Sequence, residues 1–483
     1  MKKPANGKSR DEILGTLKEY KKMDVDWRDG KVFGYVFHAS EEATQMVEDA
    51  FNMFIWENAL DPTVFKSLLR METEVVAMCA AHLGGDENTA GSFTSGGTES
   101  VLLAVKTARD WARENRPEIK EPEMILPVSA HACFHKAAQY FNVKPVVIPV
   151  DPKTFKVDLD KMKAAINENT ILMVGSAPSY AQGVVDPIRE IAAMAQERGI
   201  LCHVDGCIGG FLLPYFKKLG GKVTDFDFSV PGVTSISMDL HKYAFAAKGA
   251  SVILYKTKEL RKYQIFTCST WSGYTVVNPT IQSSKSGGPV AGAWAVLNYL
   301  GDDGYLEVTR KLKDATDKYK EGIAKLPDFY VQGEPEMSLV AVTSDTLNIF
   351  EVVDEMLQRG WHIQIQPGVM GTKENFHVTI MPQTTPNIEA LLKDLAEVAD
   401  VVRNKPKSEL VQQMTEFAAN LKPEDITDEG LKNMLAMAGI GGGEAGVPER
   451  MAELNEILNS LPREVVDKIL KNFFNELSHY RGQ

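Results

Sequence analysis

The chain has 483 residues, 44% hydrophobic and 24% charged, which is the composition of a globular protein with ample material for a large core. A formal net charge of -12 and no Lys/Arg-rich stripe argue against a nucleic-acid partner, which demands a basic face, and favour a small molecule. No apolar segment follows the first ten residues, so neither a signal peptide nor an N-terminal membrane anchor is expected. Five scattered cysteines (Cys79, Cys133, Cys202, Cys207, Cys268) suit a reducing, cytoplasmic compartment, and Cys202, His203 and Cys207 match no zinc spacing.

Residues 1–60 include W-R-D-G-K-V-F-G-Y-V-F-H (Trp27 to His38), an aromatic arm expected to pack on something, such as another subunit. From Asp61 to Gly304, the apolar runs Met124 to Val128, Val146 to Val150, Ile171 to Gly175 and Ile200 to Val204 alternate with helical stretches, Ser100 to Arg113 and Pro187 to Arg198 among them. Alternating β and α elements predict a mostly parallel sheet covered by helices on both faces, with ligands at the strand carboxyl ends. Residues 305–403 read as a smaller α+β domain closed by a helix over Asn387 to Val402. Residues 404–483 read as a helical tail interrupted by a glycine-rich joint, Gly439 to Pro448.

Three segments carry chemistry. S-F-T-S-G-G-T-E-S (Ser92 to Ser100) runs into a helical pattern, and small residues at a helix start expose N–H groups that hold a phosphate; Gly96, Gly97 and Thr98 are the expected cradle. The same segment also reads as an ordinary capped helix. In L-C-H-V-D-G-C-I-G-G-F (Leu201 to Phe211), Asp205 ends an apolar strand, where it either pairs with a cofactor's ring nitrogen or closes a turn. In S-I-S-M-D-L-H-K-Y-A-F-A-A-K-G (Ser235 to Gly249), His241 directly precedes Lys242. A lysine among apolar neighbours is expected to have a lowered pKa and enough neutral amine to form a Schiff base; on a bare surface it is an ordinary lysine.

The order of these segments, phosphate loop, imidazole segment, Asp and then Lys, resembles the fold-type I pyridoxal-phosphate enzymes, the aspartate-aminotransferase-like α/β architecture. Within them S-G-G-T-E-S, S-A-H-A-C-F-H-K-A-A-Q-Y-F (Ser129 to Phe141), H-V-D-G-C-I-G-G-F, the His241-Lys242 segment and N-P-T-I-Q-S-S-K-S-G-G (Asn278 to Gly288) are similar to the sphingosine-1-phosphate lyase family. The likeness spans Lys31 to Arg403, and Met434 to Glu449 is similar to that family's end. It implies that Lys242 is the Schiff-base lysine, that Asp205 pairs with the ring nitrogen of pyridoxal phosphate, and that His131 stacks on the ring. It further implies that Gly97, Thr98 and His241, with Ser284 of a neighbouring subunit, hold the cofactor phosphate, and that His203 contributes to the same site. Lys248, six positions after Lys242, and Tyr180 match family positions suited to a substrate phosphate or to proton transfer. The implied protein is a homodimer performing a retro-aldol cleavage to a fatty aldehyde and an aminoethyl phosphate.

Three departures fall on the expected substrate entrance. Phe37 stands where the family carries a tyrosine, so a catalytic phenol is missing unless Tyr35 replaces it. Gly206 lacks a methyl expected beneath the cofactor ring. Tyr274, Thr275 and Val276 replace glycine, a bulky apolar residue and tyrosine. The rival function is an amino-acid decarboxylase of the group II type, which needs an arginine fork for the substrate carboxylate. Between Trp361 and Asp394 there is no arginine, and the run Gly360 to Pro382 offers only Lys373 and histidines. A silent binding protein is the remote third reading. An amphiphilic substrate would be met at a bilayer surface or from a soluble pool. The tail after Asn404 is expected to stabilise the dimer by packing on its own protein, the alternatives being cover for the entrance or contact with a partner.

Overall fold

The computed structural model describes residues 3–406, 408–419 and 450–477. Continuous apolar runs cannot alternate between core and water, so they become strands covered on both faces. These are β1 (Ala90–Thr94), β2 (Glu123–Pro127), β3 (Lys144–Ile148), β4 (Thr170–Ser176), β5 (Leu201–Asp205), β6 (Ser235–Met238) and β7 (Ser251–Tyr255). They form one sheet in the order β1-β7-β6-β5-β4-β2-β3, in which β7 is antiparallel to both neighbours and every other pairing is parallel. The carboxyl ends of β1, β2, β4, β5 and β6 therefore share one edge, and that edge carries all three chemistry-bearing segments.

The helix Gly97–Asn115 shows how the sheet is covered. Val101, Val105, Ala108 and Ala112 recur at helical spacing and are buried against β2 and β4 residues such as Met124, Leu126 and Leu172. Full burial of each valine contributes roughly 1.5–3 kcal/mol, so Val105→Asp would detach the helix that begins at Gly97. A two-stranded hairpin, β8 (Phe266–Cys268) and β9 (Val276–Asn278), stands apart from the sheet and exposes Phe266, Trp271, Tyr274 and Val277.

The second sheet is antiparallel, in the order β10 (Tyr330–Val331), β11 (Leu339–Thr343), β13 (Asn375–Thr379), β12 (Gln364–Gln366). The point between residues 304 and 305 lies inside a long helix, Gly288–Ile323, which breaks at Gly301 (φ 55°), a left-handed conformation that glycine adopts without steric cost. The arm divides in two. Residues near Val32 and Phe33 pair with the protein's own His362, and Gln383 donates to the Val36 carbonyl, whereas the helix Arg10–Lys21 buries no side chain.

Of the tail, the helices Glu409–Ala419, Ala452–Ser460 and Arg463–Leu477 are described, while Gly439 to Pro448 and Met434 to Glu449 lie outside the described residues. The helix Ala452–Ser460 is anchored on the helix Ile349–Gln358. The Asp354 carboxylate accepts the Met451 and Ala452 N–H groups at 3.1 and 2.8 Å, and Arg450 pairs with Glu355 at 2.8 Å.

Candidate active site

Loops from five strand ends enclose a cavity of about 330 Å³, within the usual size range of small-molecule sites. After β1, Ser95 to Thr98 turn into the helix Gly97–Asn115 and line the cavity with its N-terminus. Gly97 is required there: an added Cβ would fall 2.7 Å from Cys207 Sγ and 2.8 Å from Asp239 Oδ2. The glycine thus lets the helix start lie against the β5 and β6 loops with its amides uncovered.

His131, beyond β2, lines the cavity, and its Nδ1 accepts the Cys133 N–H at 3.2 Å. Tyr180, beyond β4, meets it edge to face at 6.3 Å between ring centroids. The Tyr180 hydroxyl donates to Gln364 Oε1 of β12 at 2.8 Å, so the antiparallel sheet holds this phenol in place. Burial pushes the Tyr180 pKa up, against the pull of nearby Lys242, and keeps it protonated at neutral pH.

Asp205, at the end of β5, is 7% exposed and accepts the Cys207 N–H at 3.0 Å. His203 lies two residues earlier on the same strand face and does not reach the cavity. It is fully buried between Ser235 Oγ at 2.9 Å and Ser237 Oγ at 3.3 Å, and burial, opposed by Asp205, lowers its pKa to about 4. A neutral imidazole thus supports the wall behind Asp205.

Lys242 departs from expectation in its charge. Burial alone would lower its pKa, but Asp239 Oδ2 lies 3.1 Å from Nζ, and Asp205 adds to the attraction, so the pKa is raised and the lysine is an ammonium ion. The apolar run of β6 ends at Met238, before the lysine, and what surrounds Nζ is polar. His241 also faces Asp239, at 3.6 Å, and burial pulls its pKa to about 4 despite that carboxylate.

Lys248 donates to the His241 carbonyl at 3.2 Å, and its Nζ lies 5.0 Å from the Phe37 ring centroid. Phe37, which packs edge to face on Tyr243 at 4.9 Å, therefore occupies the space next to Lys248. Tyr35 lies off the cavity lining, 66% exposed and with φ 66°, yet it is near enough to Tyr180 to help raise that phenol's pKa. Ser284 lines a separate cavity of about 360 Å³ with Lys285 and Ser286, and Tyr274 to Val276 sit on the exposed hairpin. Gly206 corrects another expectation. A Cβ there would lie 2.9 Å from the Ser237 carbonyl oxygen and 3.2 Å from Gly210 Cα, so a methyl would strike β6 rather than support a ring.

Residues not anticipated from sequence include Asp239, Glu99, Cys207 and Gln364. Asp239 was visible as an acid three residues before Lys242, the spacing of one turn, whereas Gln364 carries no local signal.

The family described as "Pyridoxal-dependent decarboxylase conserved domain" matches residues 2–344, and a second, for the C-terminal domain of pyridoxal-dependent enzymes, matches residues 412–476. A sphingosine-1-phosphate lyase of Oryza sativa is 44% identical over 403 residues, covering 82% of this chain and 74% of the relative. The chain belongs to the sphingosine-1-phosphate lyase family. The solved structure of the Burkholderia pseudomallei sphingosine-1-phosphate lyase superposes with a TM-score of 0.80 at 34% identity, covering 88% of this chain and 98% of that one. A Lactobacillus brevis glutamate decarboxylase, at 18% identity and TM-score 0.73 over 84% and 96% of the two chains, shares the fold of this lyase family. The fold is thus the fold-type I architecture, and the cofactor is pyridoxal 5'-phosphate. The cavity fits that cofactor: a side-chain-free helix start suits its phosphate, a buried carboxylate suits a protonated ring nitrogen, and a lysine amine suits its aldehyde.

Proposed function

We propose that this protein cleaves a phosphorylated sphingoid base, or a similar amino-alcohol phosphate, between the carbon bearing the amine and the carbon bearing the hydroxyl. The products are a fatty aldehyde and phosphoethanolamine. One observation carries the reading: Lys242, Asp205 and the Gly97 helix start share a cavity whose lining includes no arginine to grip an amino-acid carboxylate.

Bound pyridoxal phosphate supplies an electron sink for the electron pair released when the carbon–carbon bond breaks. The Gly97 and Thr98 N–H groups, with His241, would hold its phosphate, Asp205 would keep a proton on the ring nitrogen, His131 would lie against the ring, and Lys242 would anchor the cofactor and give way to the substrate amine. Lys248, outside the lining but hydrogen-bonded to His241, attracts the substrate phosphate, and Tyr180, kept protonated by burial, hydrogen-bonds the substrate hydroxyl whose proton must move.

Two copies form the working unit in this reading. The helix Arg10–Lys21 buries nothing on its own chain, Trp56 is 91% exposed and Met53 is 70% exposed, so an apolar face awaits a partner. Ser284, outside its own chain's cavity, would then serve the other copy's phosphate. No described helix is long and apolar enough to cross a membrane. A cytoplasmic enzyme meeting an amphiphile at the bilayer surface is consistent with that.

Product analysis tests the function. Incubation with a phosphorylated sphingoid base should release a fatty aldehyde and phosphoethanolamine. Release of carbon dioxide from an amino acid, without aldehyde from the lipid, would replace the lyase with the decarboxylase.

A further inference from the structure

Asp239 has no part in the scheme above, yet it is the most constrained charge in the cavity. It is 3% exposed, its Oδ2 serves both Lys242 and His241, and its Oδ1 is buried without a hydrogen-bond partner. Its N–H donates to the Cys207 carbonyl at 3.2 Å, and its carboxylate abuts Gly97, where a Cβ would come within 2.8 and 2.9 Å of the two oxygens. A buried carboxylate is strongly unfavourable unless a cation answers it, and the nearest cation is Lys242 at 3.1 Å.

We propose that Asp239 is the fixed counter-charge of the Lys242 nitrogen, holding it cationic both before and after it joins the cofactor. This rests on Lys242 being the anchoring lysine. When Nζ joins the aldehyde carbon, a nitrogen–carbon double bond forms and the aldehyde oxygen leaves as water with two of the ammonium hydrogens. The third proton and the positive charge stay on nitrogen. The carboxylate faces the same charge throughout and needs no rearrangement.

The other groups around Nζ do not supply this charge. Asp205, on β5, is committed to the ring nitrogen in the proposed scheme. The thiols of Cys207, in the turn after β5, and Cys133, on the helix Cys133–Phe141, have raised pKa values from burial and from Asp205 and Asp239, and stay neutral. Tyr180, from the loop after β4, presents its ring 6.0 Å from Nζ and is neutral. His241 and Lys248, on the same segment as Lys242, are a neutral imidazole and a second cation, and Ser251 of β7, whose hydroxyl helps hold the Asp239 carboxyl low and also lies 3.1 Å from the Met238 carbonyl, carries no charge. Asp239 is the carboxylate left to the nitrogen.

The test compares wild type with Asp239→Asn, which keeps shape and removes charge. In the cofactor-loaded protein, the visible band of the protonated nitrogen is titrated with pH. The variant's midpoint should fall by about 1–3 pH units, the usual effect of removing an adjacent opposite charge. In the cofactor-free protein, uptake of pyridoxal phosphate requires a neutral amine, so the variant should load faster, by about tenfold for each unit of lowered pKa. A merely structural residue would slow loading and leave the midpoint in place, and either of those results overturns the proposal. Asp239→Ser, smaller and also uncharged, repeats both measurements should the asparagine variant not fold. Borohydride trapping keeps the two readings apart: wild type in which no cofactor is trapped on Lys242 refutes the anchor itself, whereas trapping with an unmoved midpoint refutes only the counter-charge.

Discussion

Glu99 Oε1 accepts the Ile281 N–H at 2.7 Å while its Oε2 accepts the N–H and the hydroxyl of Ser95 at 2.6 and 2.7 Å. One buried carboxylate thus ties the Gly97 helix start to the segment that presents Ser284 three residues later. Glu99→Gln keeps the shape but weakens several charge-assisted bonds, each worth about 1.5–3 kcal/mol. We expect a loss of about 2 kcal/mol or more in urea denaturation and faster loss of pyridoxal phosphate on dialysis.

Lys248 gives the reaction a pH limit. Burial and the neighbouring Lys242 charge lower its pKa to about 8, so its positive charge is present below that pH and lost as pH rises through it. A substrate phosphate attracted by Lys248 will bind less well on the alkaline side. kcat/KM for a phosphorylated substrate should therefore fall above about pH 8 by up to tenfold per unit, while kcat, which reports the complex, changes less. Lys248→Arg should flatten the fall because a guanidinium stays charged. Lys248→Ala should raise KM below about pH 8, where the wild-type lysine is charged, and approach the wild-type KM above it; an unchanged KM at about pH 7 would remove Lys248 from phosphate binding.

How far the sequence reveals this site follows from where each residue's partners lie. Asp205, Lys242 and the Gly97 turn are legible because each ends or follows an apolar run, and parallel strands bring such ends to one edge. The charge of Lys242 is not legible in the same way. It depends on the chain turning after Met238 so that Asp239 folds back onto Nζ, which an apolar-run reading treats as more strand. The anchor of Tyr180 is Gln364, on the other sheet, with nothing local to mark it. Tyr35 and Phe37 look interchangeable in a sequence, but only Phe37 packs on Tyr243, because the arm has already paired with His362 and fixed which residues face inward. Gly206 misleads for a related reason: the direction of its absent side chain is set by β6, its neighbour in space.

Gly206→Ala tests that direction. The added methyl would press on the Ser237 carbonyl oxygen and on Gly210 Cα, both backbone atoms that yield little. Overpacking of this kind costs about 1–3 kcal/mol. Thermal unfolding should show a lowered Tm, while the cofactor's visible band keeps its position because the methyl points away from the cavity. A shifted band with an unchanged Tm would mean that the methyl enters the ring's space after all.

Asp354 decides whether the tail stays on the helix Ile349–Gln358. The first turn of the helix Ala452–Ser460 has no side-chain cap of its own, and the Asp354 carboxylate supplies one from another helix through the Met451 and Ala452 N–H groups. A carboxylate at a helix N-terminus also opposes the helix dipole favourably. Loss of such a cap costs about 0.5–2 kcal/mol, which is enough to loosen a peripheral helix without unfolding the core. Farther along, Asn459 Oδ1 accepts the Gly368 N–H at 3.2 Å and Arg463 donates to the Gly368 carbonyl at 2.6 Å, so the tail also grips the loop between β12 and β13. β12 carries Gln364, the partner of Tyr180. Asp354→Ala should therefore speed proteolytic removal of the tail and, through the loosened loop, lower kcat more than it changes cofactor retention. Equal protease resistance in variant and wild type would show that Arg450, Asn459 and Arg463 hold the tail without Asp354.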